Sequence, residues 1–326
     1  MLGAWAPSTQ ACYLAKWLCF KSWCSGALVD PFTCPLPKVL QFLESLAARG
    51  LATSTIRVYA SAISLHRDEE VDSIFTSHAG RLFLRGLARA RPSLPPAPPL
   101  WDLAAVLRML SQHPYEPLAL ADDRALSMKT AFLLAVCTGL RVSDLVGFSV
   151  QDDCLTLQDD LSQVVLRPNP AFVGKSGPGA RITPITLYAF PPPGELDVGG
   201  LRPLCPVRAV AAYLGRTGSF RGATRQLLVC FGGPQRGQGL SRGSLSRWLR
   251  DIISESLGPA GPGHVTAHST RGVSASVALL HGVPMDDICK SARWSSSCAF
   301  ARYYLQDVGS SSFSSTVLGA VGRGAR

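Results

Sequence analysis

The chain has 326 residues, 47% hydrophobic and 17% charged, enough for two domains with separate cores and too apolar for a largely disordered polymer. No uncharged apolar run reaches the roughly 18 residues of a membrane span. The apolar stretch 13–24 carries Lys16 and Lys21, which argues against a secretory leader, so a soluble, intracellular protein is expected. Thirty-two basic residues against 22 acidic give a net charge of +10, and all but six of the basic residues are arginine, whose planar fork of donors fits phosphate oxygens.

The first 92 residues read as helical. Tyr13, Trp17, Phe20 and Cys24 form one apolar stripe at spacings of four, three and four, with Ser8 or Thr9 as the expected cap. A second helix is expected over 37–48, stopped by Gly50. A third opens at Thr53 or Ser54 and turns Ile56, Tyr59, Ala60 and Ile63 inward, leaving Arg57 outside. A fourth, over 80–90, carries Arg81, Arg85 and Arg89 on one face at i, i+4 and i+8. Arg57 and this stripe are the expected contacts of a small basic domain with a DNA backbone.

Residues 93–100 hold four prolines and read as a stiff, extended linker. Beyond it, helices are expected over 101–111 and 128–138. Strand-like text follows at 162–167, 171–175 and 181–187, with Ser176-Gly-Pro-Gly-Ala180 turning the last two into a hairpin. Further helices fit 206–214, 244–257, 268–280, 284–293 and 297–307, with Pro206 and Pro284 in first turns and Gly215 and Gly282 at ends. The fold class is therefore mainly α with a small antiparallel β-sheet. A helical domain over 1–92 and the linker precede a second domain over 101–308 and a tail, 309–326, rich in serine and glycine. The ten cysteines show no CxxC and no finger-like pairing with histidine, so they are expected to be reduced, apolar core thiols, Cys19 and Cys137 among them, and no metal is expected.

Several polar residues stand where a core does not call for them. Arg141 follows the apolar run 131–140 and has Asp144 three residues on to orient it. His268 and Arg271 share one helix face. Trp294 ends one helix and Tyr303 lies on the next, while Lys175 stands at the lip of the hairpin turn. Singly, each has an ordinary structural reading as a surface arginine, a satisfied histidine or a core tyrosine.

In order, they carry a resemblance. Thr138-Gly-Leu-Arg-Val-Ser-Asp-Leu145 resembles the first box of the tyrosine recombinase/phage integrase family. His268-Ser-Thr-Arg271, Leu280-His-Gly-Val-Pro284, Trp294 and, nine residues later, Tyr303 resemble its second box through to the nucleophile. Ser54-Thr-Ile-Arg-Val-Tyr-Ala-Ser-Ala-Ile-Ser64 is similar to the helical core-binding domain of these enzymes, and the segment 293–304 is most similar to recombinases of DIRS- and Ngaro-type retrotransposons.

The resemblance implies a DNA breaking and rejoining enzyme working through a 3′-phosphotyrosyl link, without metal or other cofactor. Tyr303 would be the nucleophile, Arg141 and Arg271 the phosphate clamp, Lys175 the acid for the leaving oxygen, and His268 an aid to proton transfer. Trp294 stands where histidine is more common and can donate a hydrogen bond but not titrate. The spacing from Trp294 favours Tyr303 over the adjacent Tyr304. The implied partner is double-stranded DNA, bound by monomers that assemble into a homo-tetramer on paired sites, with neither membrane nor small-molecule substrate. A chromosomal substrate implies the nucleus. Three other outcomes remain open here: a transposon-derived protein that binds DNA without cutting it, relaxation of DNA in the manner of a type IB topoisomerase, and a helical scaffold protein whose basic surface is incidental.

Overall fold

The computed structural model describes residues 7–68, 72–92, 101–151, 153–172, 174, 183–258, 265–294, 296, 297 and 300. The chain divides into two units, Met1–Pro96 and Ala97–Arg326.

The first unit contains α1 (Pro7–Gly26), α2 (Leu36–Ala48), α3 (Thr53–His66) and α4 (His78–Ala90). The expected stripe of α1 does turn inward: Trp17, Phe20 and Cys24 are buried against Phe42, Ile56 and Ile63. Trp17 also stacks on the His66 ring at 4.8 Å. Ser8 and Thr9, expected to cap α1, instead lie within it. Ser77 caps α4 by accepting from the Gly80 N–H, so this helix starts two residues earlier than the sequence pattern suggested. Gly80 is required there, because a Cβ would stand 2.0 Å from the Ile74 carbonyl oxygen. Arg57, Arg81, Arg85 and Arg89 are all exposed, leaving their guanidinium groups to solvent while Ile56 and Leu84 of the same helices are buried.

The second unit is built around α6 (Asp123–Thr138), preceded by α5 (Leu103–Leu110) and followed by α7 (Val142–Val146). Ala131–Ala135 of α6 is buried without a break, as in a helix surrounded by others. It packs on α8 (Pro206–Gly218), α9 (Arg242–Leu257) and α10 (Ser269–Leu280), and α10 packs in turn on α11 (Met285–Ala292). Asp122 caps α6 through the Ala125 N–H, which moves its start five residues ahead of the expected one. Gly215, expected to end α8, lies inside it.

One buried charge of this unit is tied to its surroundings at several points. The Lys129 side chain, wholly buried on α6, donates to the carbonyls of Leu110 and Tyr115 and to the Glu116 carboxylate. Arg208 of α8 holds the same carboxylate with both terminal nitrogens, at 2.8 and 2.9 Å. Three segments distant in sequence are thereby tied around one carboxylate.

The sheet is a three-stranded antiparallel meander of β1 (Leu155–Leu157), β2 (Gln163–Leu166) and β3 (Ile185–Tyr188). Leu166 pairs with Ile185 and Gln163 with Tyr188. The expected hairpin between 171–175 and 181–187 is corrected: β3 pairs with β2, and Ala171 and Phe172 lie in a turn. Asn169 makes that turn, its side chain accepting from the Ala171 N–H and its carbonyl from the Phe172 N–H. Pro184, with no N–H for a ladder, delays β3 to Ile185. The segment 175–182, including the expected turn, lies outside the described residues, as do the linker 93–100 and the tail.

A mainly α fold with a small antiparallel sheet is thus what the chain adopts, as its sequence patterns lead one to expect. The cysteines divide. Cys24 and Cys34 are buried, and burial pushes the Cys24 thiol up to about 12, making it a poor nucleophile. Cys137, expected in the core, keeps exposed surface near the end of α6, yet burial, with Cys205 nearby, pushes its thiol up to about 11. Among the described residues no helix is long and apolar enough to cross a membrane.

Candidate active site

The first box is a helix end followed by a sharp restart. Gly139 terminates α6 in the left-handed conformation, φ 62°, its N–H bonded to the Ala135 carbonyl. Thr138 steadies the bend, donating to the Leu134 carbonyl and accepting from the Leu140 N–H. Leu140 is buried, so the chain cannot swing away, and Arg141 emerges as the residue that caps α7. Its side chain retains 27% exposure, with Asp144 at 3.9 Å. Asp144 is buried, and among the described residues its Oδ2 accepts no hydrogen bond, leaving it to act on Arg141 by charge.

The second box starts α10. His268 stands at its N-terminal boundary, exposed, and Arg271 follows one turn later, 1% exposed. The Arg271 guanidinium donates to the Ala292 carbonyl at 2.9 Å, and its centre lies 5.0 Å from the Trp294 ring. Trp294 is itself buried, packed on Phe300, with its backbone N–H bonded to the Cys289 carbonyl. The position before it, Arg293, has φ 53° and ψ 48°, a left-handed helix end occupied by a residue other than glycine.

The two boxes meet at α11. Ser291 donates to the Thr138 carbonyl at 3.1 Å, and the Ala292 Cβ lies 3.4 Å from where a Cβ on Gly139 would stand. The first box, the C-terminal end of α11 and Arg271 therefore share one locality. A second anchor reaches the same region from the start of the unit: the Trp101 indole N–H donates to the Ser269 hydroxyl at 2.9 Å, and that hydroxyl donates to the Thr266 carbonyl.

Arg141 and His268 line a single cleft of about 460 Å³, together with Thr266 and Ala267. Arg271 and Trp294 stand outside its lining. Lys175, Tyr303 and Tyr304 lie outside the described residues. The cleft has two more polar walls that the motif reading passed over, Ser246 and Arg250. Both come from α9 at i, i+4, at the border of its buried face, and that spacing was visible in the sequence. Two guanidinium groups and an imidazole thus line one concave surface, an arrangement whose charge suits an anion.

No family model matches the chain, and no curated protein matches it. Solved structures do. The XerH site-specific recombinase bound to palindromic difH substrate, in a post-cleavage complex, is 16% identical, covering 96% of this chain and 78% of that one with a TM-score of 0.58. A lambda integrase dimer bound to a COC′ core site gives 14% identity, 94% and 73% coverage and 0.54. The Tn1549 transposon integrase in complex with transposon right end DNA gives 14%, 90% and 86%, and 0.52. Nearly the whole chain is matched in each, at identities that speak to backbone architecture. The fold of this chain is that of the tyrosine recombinases and integrases.

Proposed function

We propose that this protein is a tyrosine recombinase that cuts and rejoins duplex DNA through a 3′-phosphotyrosyl intermediate. The observation that carries the reading is the meeting of Arg141 and His268 in one cleft, with Asp144 on Arg141 and Arg271 fixed one turn beyond His268, in a fold shared with recombinases.

In this reading the Tyr303 oxygen attacks phosphorus while the bond to the 5′-oxygen breaks. Lys175 gives that oxygen its proton, and His268 assists removal of the proton from Tyr303. Arg141 and Arg271 hold the two non-bridging oxygens, whose charge grows as phosphorus becomes five-coordinate. Trp294 packs on Arg271 and offers an indole N–H to the phosphate, and Asp144 orients Arg141. Attack of a 5′-hydroxyl on the phosphotyrosine reverses each step, so the bond energy is kept and the chemistry calls for neither ATP nor a metal. Exchange between two duplexes needs a protein on either side of each crossover, hence monomers that assemble as a tetramer on paired sites. Phe313, Val317, Leu318 and Val321 of the tail are the segment proposed to dock on a neighbour. The similarity of 293–304 to DIRS and Ngaro recombinases supports a mobile element acting in a nucleus as the setting.

The test is covalent capture. Wild-type protein is incubated with nicked duplexes of random sequence in the presence of EDTA, and adducts that survive denaturation are collected. Adducts with wild type and none with Tyr303→Phe are expected; DNA that is bound but never joined would make the protein a binding relic. The basic helices give a separate expectation. Replacing Arg81, Arg85 and Arg89 together with alanine leaves the fold intact, since all three are exposed. It flattens the slope of log affinity against log salt by roughly 2–3, about 0.9 for each phosphate no longer neutralised. A slope equal to that of wild type removes this face from the interface.

A further inference from the structure

Arg293 is one of three non-glycine residues with positive φ among the described residues, the others being Leu28 and Leu161. It ends α11 with φ 53°, where an L-residue bears a backbone cost that glycine does not. Its side chain is not loose. A terminal guanidinium nitrogen donates to the Thr183 carbonyl at 2.8 Å, two residues before β3, across 110 positions of sequence. Burial pulls the Arg293 pKa down and the nearby Asp144 carboxylate opposes that, so the cation sits in the field of the carboxylate that also holds Arg141. The neighbours of Arg293 are equally engaged: the Ala292 carbonyl accepts from Arg271, and Trp294 packs over that guanidinium.

We propose that Arg293 is a positioning residue, a brace from the α11 turn to the approach of β3 that fixes how the Ala292 carbonyl and the Trp294 ring hold Arg271. The inference rests on the recombinase reading of this site and adds to it a residue that does not itself touch the phosphate. Its logic is that backbone and side chain make opposite demands. The backbone is better served by glycine, while the reach of the side chain to the Thr183 carbonyl and the charge of Asp144 nearby favour arginine.

That opposition supplies the test. Arg293→Gly and Arg293→Lys are compared with wild type for thermal stability, affinity for a captured duplex and single-turnover cleavage. Glycine removes the backbone strain, so its melting temperature equals or exceeds that of the lysine variant. Cleavage ranks the other way: the glycine variant falls at least tenfold, lysine recovers part of the loss, and duplex affinity stays within about twofold for both. A glycine variant that cleaves at the wild-type rate overturns the proposal, as does a lysine variant no better than glycine. Hydrogen exchange over 289–294 gives a reading independent of activity, with faster exchange expected in the glycine variant than in the lysine variant, and equal exchange counting against the brace. If wild type forms no adduct at all, the recombinase reading fails by itself, and exchange alone then decides whether Arg293 holds the turn.

Discussion

Replacing Arg271 with lysine is expected to lower single-turnover cleavage by about 10²–10³, the usual consequence of losing one preorganised donor to an oxyanion-like transition state. The buried arginine donates to the Ala292 carbonyl and lies against the Trp294 ring. Lysine keeps the charge but presents a point donor in place of a planar fork, so it cannot bond the Ala292 carbonyl and a phosphate oxygen in one fixed plane. Arg271→Ala goes further and leaves a cavity under Trp294, costing stability as well as rate. The check is a rate measured alongside a denaturant midpoint. If lysine cleaves as fast as arginine with the midpoint unchanged, Arg271 is only a packing residue.

The largest effect on stability is expected at Glu116. This carboxylate answers both Lys129, which has no exposed surface, and the Arg208 fork. Burial alone would push the Glu116 carboxyl up, but the hydrogen bonds from Arg208 and Lys129 outweigh it and hold the group below its ordinary value. Glu116→Ala leaves the Lys129 ammonium buried without its counter-charge and should cost about 3–5 kcal/mol. In a unit of this size the melting temperature then falls by roughly 6–20 °C. Arg208→Ala should cost less, because Lys129 and Glu116 still pair. The pH dependence follows from the lowered carboxyl: its stabilisation is present above the unfolded value of about 4.3 and is lost as pH falls through the lower folded value. Wild type should therefore lose stability on acidification in a step that the alanine variant lacks. An alanine variant that melts with wild type would show that the charges are solvated or replaceable.

What the sequence made legible follows from how each signal is encoded. Helices with one apolar stripe, such as α1 and α3, announce themselves by period, while Arg141 stood out as a charge beside an apolar run and Arg271 by sharing a helix face with His268. Short elements carry too few residues for a period, so α7, with five residues, and β1, with three, passed unnoticed. The strand partner of β3 was misplaced because turn composition at 176–180 outweighed the effect of Pro184. Lys129 shows the limit most clearly. In sequence it was one of three lysines after the linker; in the fold it is a core residue whose partners include groups 13 and 14 positions away. Arg293 could not be read at all, since its meaning lies in a backbone angle and in a carbonyl 110 residues distant.

The central claim is that one tyrosine of this chain becomes joined to DNA. Digesting the captured adduct with protease and nuclease, and sequencing the surviving peptide–nucleotide by mass spectrometry, tests it most directly. The account predicts a single linkage, from the Tyr303 phenol to a 3′-phosphate, with a free 5′-hydroxyl on the released strand. Linkage through another residue, a 5′-phosphate at the join, or no covalent product from any duplex would contradict it.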